Sequence, residues 1–286
     1  MKIHPDCRPC LFRQMENTAR AAGAGEDTVQ EVLASTGSEL DRVWDDSLSP
    51  PAVSAPLYLL AACLCGRDDP YHVMKDKYTS EALALLPALE DLVAGAADPF
   101  ETAARIAIAG NVIDFGTGLH AGGIALEKTL EDFLLKPFFT QCLAELEERA
   151  SDAGSILYIG DNAGETVFDR PLLGQLADSE LYYAAKGGAI INDATVLDAA
   201  RAGVNLNARL VSTGSRAPGT ILDDCSEEFT ELFHEAGLII AKGQGNFETL
   251  TELEPLGRVF MLFTVKCPVA ADHIGAAMGD MVVMRW

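Results

Sequence analysis

Asp161 and Asn162 stand side by side in Gly160-Asp161-Asn162-Ala163-Gly164-Glu165, and Asp193 closes Lys186-Gly187-Gly188-Ala189-Ile190-Ile191-Asn192-Asp193. Two carboxylates and an amide make an all-oxygen donor set of the kind a hard divalent cation takes. Glu165 adds a further carboxylate, as ligand, water holder or base. The first loop also looks like the glycine turn of a nucleotide or adenosyl-cofactor site, but it lacks the three-glycine spacing that lets backbone approach a pyrophosphate. A structural role fits the same residues: Asn162 or Asp161 caps a helix and Glu165 completes a capping box. That role does not account for Asp193, which recurs after the next apolar run.

Other polar groups follow apolar runs in the same way. Lys186, ahead of two glycines, suits either a phosphate contact or a solvated surface position. Ser212-Thr213-Gly214-Ser215 has small residues whose N–H groups could reach an anion, and it fits a plain loop equally well. Lys242-Gly243-Gln244-Gly245-Asn246-Phe247-Glu248 carries a cation, amides and a carboxylate around two glycines. We read Lys242 and the loop amides as phosphate contacts, with Glu248 as a helix cap or supporting group. Asn111 and Asp114, between Gly110 and Gly116, line a cleft or cap helices. Cys7-Arg8-Pro9-Cys10 supplies two thiols, whereas structural zinc wants four ligands and there is no second CxxC. With five histidines and no cysteine in a glycine-flanked loop beside one, a nucleophile–histidine triad has no seat.

The elements that must position these groups change character near residue 150. Residues 1–150 predict helices: one after Cys7, one over Glu26–Leu33, one past the Ser49-Pro50-Pro51 break, then Tyr71–Leu86, Glu90–Ala97, Phe100–Ala109 and Thr129–Ala150, where Pro137 offers a break. Residues 151–286 alternate strand, loop and helix. Strands are expected at Ile156–Ile159, Leu181–Ala185, Ala208–Ser212, Gly237–Ala241 and Arg258–Thr264, with Met281–Met284 as an edge. Helices are expected at Thr166–Leu176, Thr195–Ala202 and Ser226–Ala236. Such alternation builds a mostly parallel sheet with helices on its faces, and open sheets of that kind hold ligands at the carboxyl ends of their strands.

Composition narrows the partners. The 286 residues are 49% hydrophobic, enough for a sizeable core, and no apolar run is long enough to span a bilayer. The start of the chain lacks a secretory apolar region, which makes a cytoplasmic location the expectation. A net charge of −22 argues against nucleic acid or an anionic membrane as partner. It also means that an anionic substrate needs local positive charge from a metal, a lysine or helix amino termini. The seven scattered cysteines read as reduced thiols.

Taken in order, CRPC, GNVIDFG, GDNAGE, KGGAIINDAT, STGS and KGQGNFE resemble the metal-dependent damage-control phosphatases, from about Cys7 to Val283. That family was labelled domain of unknown function 89 and is also called acidic-residue-methyltransferase-like. The amino-terminal CxxC and the absence of an Arg-Thr-x-Lys signature resemble its prokaryotic-type branch. The resemblance implies an α/β fold: a three-layer α/β/α sandwich preceded by a helical amino-terminal domain, with a divalent cation (manganese, nickel, cobalt or magnesium) at the junction. It places Asp161, Asn162 and Asp193 on the metal, Asn111 and Asp114 facing substrate, and Lys186 and Lys242 approaching the phosphate.

The expected activity is hydrolysis of a small phosphomonoester, a sugar phosphate or a damaged phosphometabolite. Asp193 or Glu165 would orient the water. Asp161 lacks the Asp-x-Asp setting of an aspartyl-phosphate nucleophile, which favours direct attack by water. The alternatives are an S-adenosylmethionine-dependent carboxyl methyltransferase, a non-catalytic metal- or metabolite-binding protein, and a structural zinc protein seated on the CxxC.

Overall fold

A computed structural model describes residues 1–110, 133–140 and 142–286; Asn111 and Asp114 lie outside the described residues. Six strands form one sheet: β1 (Ser155–Ile159), β2 (Glu180–Ala185), β3 (Arg209–Ser212), β4 (Leu238–Lys242), β5 (Val259–Thr264) and β6 (Met281–Arg285). Their spatial order is β3-β2-β1-β4-β5-β6. The first five run parallel, while β6 returns antiparallel along β5. The chain lays β2 and β3 to one side of β1 and β4 and β5 to the other. The loops leaving β1 and β4 therefore part at a topological switch point, where open α/β sheets keep a crevice.

The period-two side-chain alternation of each strand divides the core into two layers. Ile156, Tyr158, Tyr183, Ile240 and Phe260 face one layer, which holds α4 (His72–Ala94), α5 (Pro99–Ala109), α6 (Leu143–Asp152), α7 (Glu165–Gln175) and α8 (Val196–Arg201). Leu157, Ala184, Ile239 and Met261 face the other, made by α9 (Glu227–Glu235), α10 (Gln244–Leu250) and α11 (Pro268–Ile274). The result is the expected three-layer sandwich. A third core joins α1 (Cys7–Ala21), α2 (Glu26–Val43) and α3 (Pro50–Leu64) through Leu11, Met15, Val32, Leu40 and Leu57. It meets the α/β part at Ile190 and Val269.

Several boundaries differ from the sequence reading: residues 136–140, inside the helix expected at Thr129–Ala150, are not helical, and α10 and α11 lie where no helix is expected. The helices expected at Tyr71–Leu86 and Glu90–Ala97 are one helix, α4, running through Pro87. Proline removes one main-chain hydrogen bond, but Ala82, Leu86, Leu89 and Val93 bury a continuous stripe on both sides of it, which holds the axis together. Pro50-Pro51, read as a break, is instead the first turn of α3, where a missing N–H costs nothing. Among the described residues no helix is long and apolar enough to cross a membrane.

Candidate functional site

The loops after β1 and β2 are stitched together by main-chain bonds. Asn162 and Asp193 pair as an isolated antiparallel bridge, and Lys186 pairs with Thr195. Ala163 N–H donates to the Asn192 carbonyl at 2.9 Å, and Ala194 N–H to the Asp161 carbonyl at 2.8 Å. Asp161, Asn162 and Asp193 thus come to one place, lining one cavity of about 850 Å³ together with Glu165. Helix α7 begins at Glu165 with Gly164 as its cap and no side-chain cap bond, so the capping alternative is not adopted. The Asn162 amide nitrogen instead donates to Glu165 Oε1 at 2.5 Å and Asp161 Oδ2 at 3.2 Å, which turns its oxygen the other way.

Two features hold this loop pair in place. Lys75 of α4, itself buried, reaches Asp69 Oδ2 at 2.9 Å and Asp198 Oδ2 at 2.7 Å. Asp198 closes a capping box with Thr195, just past Asp193. Ile191 sits at φ 38°, in the left-handed region that β-branched residues avoid. Strain of that kind costs about 1–3 kcal/mol and persists only where the surroundings enforce it. Here the flanking Ile190 is anchored in the α1–α3 core.

Asp193 is 1% exposed, and among the described residues neither of its carboxylate oxygens accepts a hydrogen bond. Its nearest cation, Lys186 Nζ, stands 3.6 Å from Oδ2, beyond hydrogen-bond reach. Burial pushes the Asp193 carboxyl up to about 6, opposed by Lys186 and reinforced by Glu165. Asp161 is likewise raised to about 6 by burial and by Asp193, against the pull of Lys266, Lys242 and Lys186. Glu165 rises to about 7 by burial and the Asp161 charge. Acidic oxygens crowded out of water in this way repel one another, and a cation would relieve that repulsion. No three His, Cys, Asp or Glu side chains among the described residues form a ready-made cage. Asp161, Asn162 and Asp193 together offer two carboxylates and one amide, a composition that would suit a hard ion also keeping water or substrate oxygens.

The lysines divide. Lys242 is fully buried beneath the site, donating to the Ala107 carbonyl at 2.7 Å and Asp169 Oδ1 at 2.8 Å, with Glu165 Oε2 3.6 Å away. Burial disfavours its ammonium, but Asp169 and Glu165 outweigh that and hold its pKa above the ordinary lysine value. Asp169 also accepts from the Tyr158 and Tyr183 hydroxyls at 2.7 and 2.8 Å. Lys186 donates to the Gly219 carbonyl. Neither ammonium belongs to the cavity lining, and Ser212 lines a separate pocket beside Tyr182 and Arg209. Among the described residues, the lysine on the cavity wall is Lys266, two residues past β5, with Thr264 beside it. Thr264 Oγ1 is buried without a hydrogen-bond partner among the described residues.

Glu248, considered as a cap, lies inside α10 instead. It accepts from Gln244 Nε2 at 2.7 Å, and burial raises its carboxyl to about 7. The sequence reading missed Lys266, Thr264 and Asp169. For Lys266 and Thr264 the available signal was their place at the end of β5, next to the β4 loop already singled out.

The family described as the damage-control phosphatase ARMT1-like domain matches residues 3–282. The chain belongs to that family. A damage-control phosphatase of Pyrococcus horikoshii is 36% identical over 100% of this chain and 98% of its own length. One from Archaeoglobus fulgidus is 31% identical over 99% and 98%. An uncharacterized protein of Methanocaldococcus jannaschii is 34% identical over 100% and 96%. The crystal structure of a DUF89 family protein from Pyrococcus horikoshii superposes with a TM-score of 0.90 at 34% identity, covering 100% of this chain and 99% of that one. The fold and family expected from the six motifs are therefore those of this ARMT1-like chain.

Proposed function

We propose that this chain is a metal-dependent phosphatase acting on small phosphomonoesters, with Asp161, Asn162 and Asp193 as the cation's protein ligands. Relatives named damage-control phosphatases support the phosphatase reading. The observation that carries the metal is Asp193: a buried carboxylate with two unsatisfied oxygens, bridged by main chain to Asn162 in a cavity shared with Asp161. A divalent cation there would offset phosphoryl charge and lower the pKa of water.

The chain's own groups do the rest. Lys266, on the cavity wall, attracts the phosphate dianion toward an otherwise acidic cleft. The Thr264 hydroxyl offers a donor at the same strand end. Glu165, raised to about 7, would take a proton from the attacking water. Lys186 and Lys242 support from behind, fixing Asp193 and Glu165 rather than touching the ester. Asn111 and Asp114 remain proposed substrate contacts.

The deciding experiment is phosphate release from p-nitrophenyl phosphate and a panel of sugar phosphates, with cobalt, nickel, manganese or magnesium supplied in turn. Release should require the ion and be lost in Asp161→Ala and Asp193→Ala. Equal release after exhaustive chelation, or unchanged cation binding in both variants by calorimetry, would overturn the assignment. Tight binding of S-adenosylmethionine without any metal would favour the methyltransferase alternative.

A further inference from the structure

The mechanism above uses none of the cysteines, yet three of them line its cavity: Cys7, Cys10 and Cys267. All seven cysteines are free thiols in the structure. Cys7 is the first residue of α1 and Cys10 lies one turn on, with Arg8 and Pro9 between. Cys267 is the residue preceding α11. The three are close enough for Cys267 and Cys10 to disfavour ionisation of Cys7, whose thiol is raised first of all by burial.

Helix geometry fixes the Cys7–Cys10 separation. Residues i and i+3 of an α-helix have Cα atoms about 5 Å apart. That lies within the roughly 4.4–6.8 Å range that disulfides span; the Cβ atoms, about 5–6 Å apart on successive turns, must close to about 3.8 Å, a small adjustment confined to the first turn of α1. The pair is also asymmetric in a useful way. Cys7 is buried, while Cys10 is partly exposed to the cavity, with Gln14 Nε2 3.5 Å from its sulfur. One accessible and one sheltered sulfur supply the two roles that exchange needs, with Cys10 to attack and Cys7 to resolve.

We propose that Cys7 and Cys10 are a reversible dithiol–disulfide couple, opening on the phosphatase cleft, that exchanges with a small-molecule disulfide of the glutathione type. The Cys10 thiolate attacks one sulfur of the small disulfide and expels one small thiolate, leaving Cys10 in a mixed disulfide. Cys7 gives its proton to that thiolate through solvent and attacks Cys10 Sγ, closing the ring and expelling the second thiolate. Two protein S–H groups become one S–S bond. The small disulfide, taking up two electrons and two protons, becomes two thiols. The couple does not depend on the metal reading, because its chemistry uses no group of the donor set.

The test equilibrates the full chain with mixtures of reduced and oxidised glutathione, quenches with acid, alkylates free thiols and maps the peptides by mass. As the mixture becomes more oxidising, the peptide holding Cys7 and Cys10 should lose two hydrogens and resist alkylation. Cys7→Ser should trap Cys10 as a glutathione mixed disulfide, and Cys10→Ser should leave Cys7 alkylatable. Both cysteines alkylating fully across the whole range, or Cys7 joining Cys267 instead, would overturn the proposal. The wild-type map decides even where a serine variant folds poorly.

Discussion

Lys242 and Asp169 meet 2.8 Å apart with neither side chain exposed, joining the end of β4 to the middle of α7 beneath the proposed cation ligands. Each partner is also satisfied elsewhere: the lysine by Ala107 and the aspartate by two tyrosine hydroxyls. Removing one member of such a pair strands a buried charge, which typically costs about 3–5 kcal/mol. Lys242→Met should therefore lower the denaturant midpoint strongly, and Asp169→Asn should do likewise. The double variant should cost less than the sum of the two. Additive losses in equilibrium unfolding would show that the pair is not a unit.

The raised carboxyls give the cation-free protein an unusual pH response. Asp161 and Asp193 at about 6, and Glu165 and Glu248 at about 7, all sit above their unfolded values. Between roughly pH 4 and 7 the folded state therefore binds more protons than the unfolded one, and stability falls as pH rises through that window. Without metal, the melting temperature should be higher near pH 5 than near pH 7.5. Added manganese should reverse the order, since it binds the deprotonated donors. A thermal-shift series in pH with and without the ion checks both signs.

Gly243 holds φ 84°, and a Cβ there would run into the Asp161 carboxylate. Gly243→Ala combines backbone strain of about 1–3 kcal/mol with a displaced donor. Cation affinity by calorimetry should fall further than the loss of folding stability accounts for. A variant with wild-type affinity would mean that Asp161 is not a ligand.

Lys266 separates electrostatic attraction from structural support. Lys266→Met should cut kcat/KM for p-nitrophenyl phosphate about a hundredfold, as loss of one preorganised charge-stabilising group does. The melting temperature should barely move, because the side chain is exposed. The opposite pattern, a stability loss with kcat/KM intact, would place Lys266 outside the site.

The loops after β1 and β2 were legible in the sequence because their pattern is local: an apolar run, a glycine, then side-chain oxygens at the carboxyl edge of a strand. It misplaced the lysines because their direction is set by parity. Lys242 shares a strand face with Leu238 and Ile240, and that face looks into the α4–α8 layer rather than into the crevice. A cation continuing an apolar i, i+2 series was the overlooked sign of a buried ion pair. Asp169 was hidden for a different reason. Its partners come from β1, β2 and β4, and only the sheet order brings Tyr158, Tyr183 and Lys242 around one carboxylate. Pro87 misled because local punctuation was weighed without the buried stripe that overrides it.

The α1–α3 core touches the α/β part at Ile190 and Val269. Ile190 leads directly into the Asp193 loop, and Val269 follows the Lys266–Cys267 wall. The Asp193 end of the cleft is thus anchored in the same helical unit whose α1 and α3 supply the facing wall. Remodelling the inside of that helical trio should retune which organic groups fit, leaving the ion's grip untouched so long as Ile190 keeps its seat.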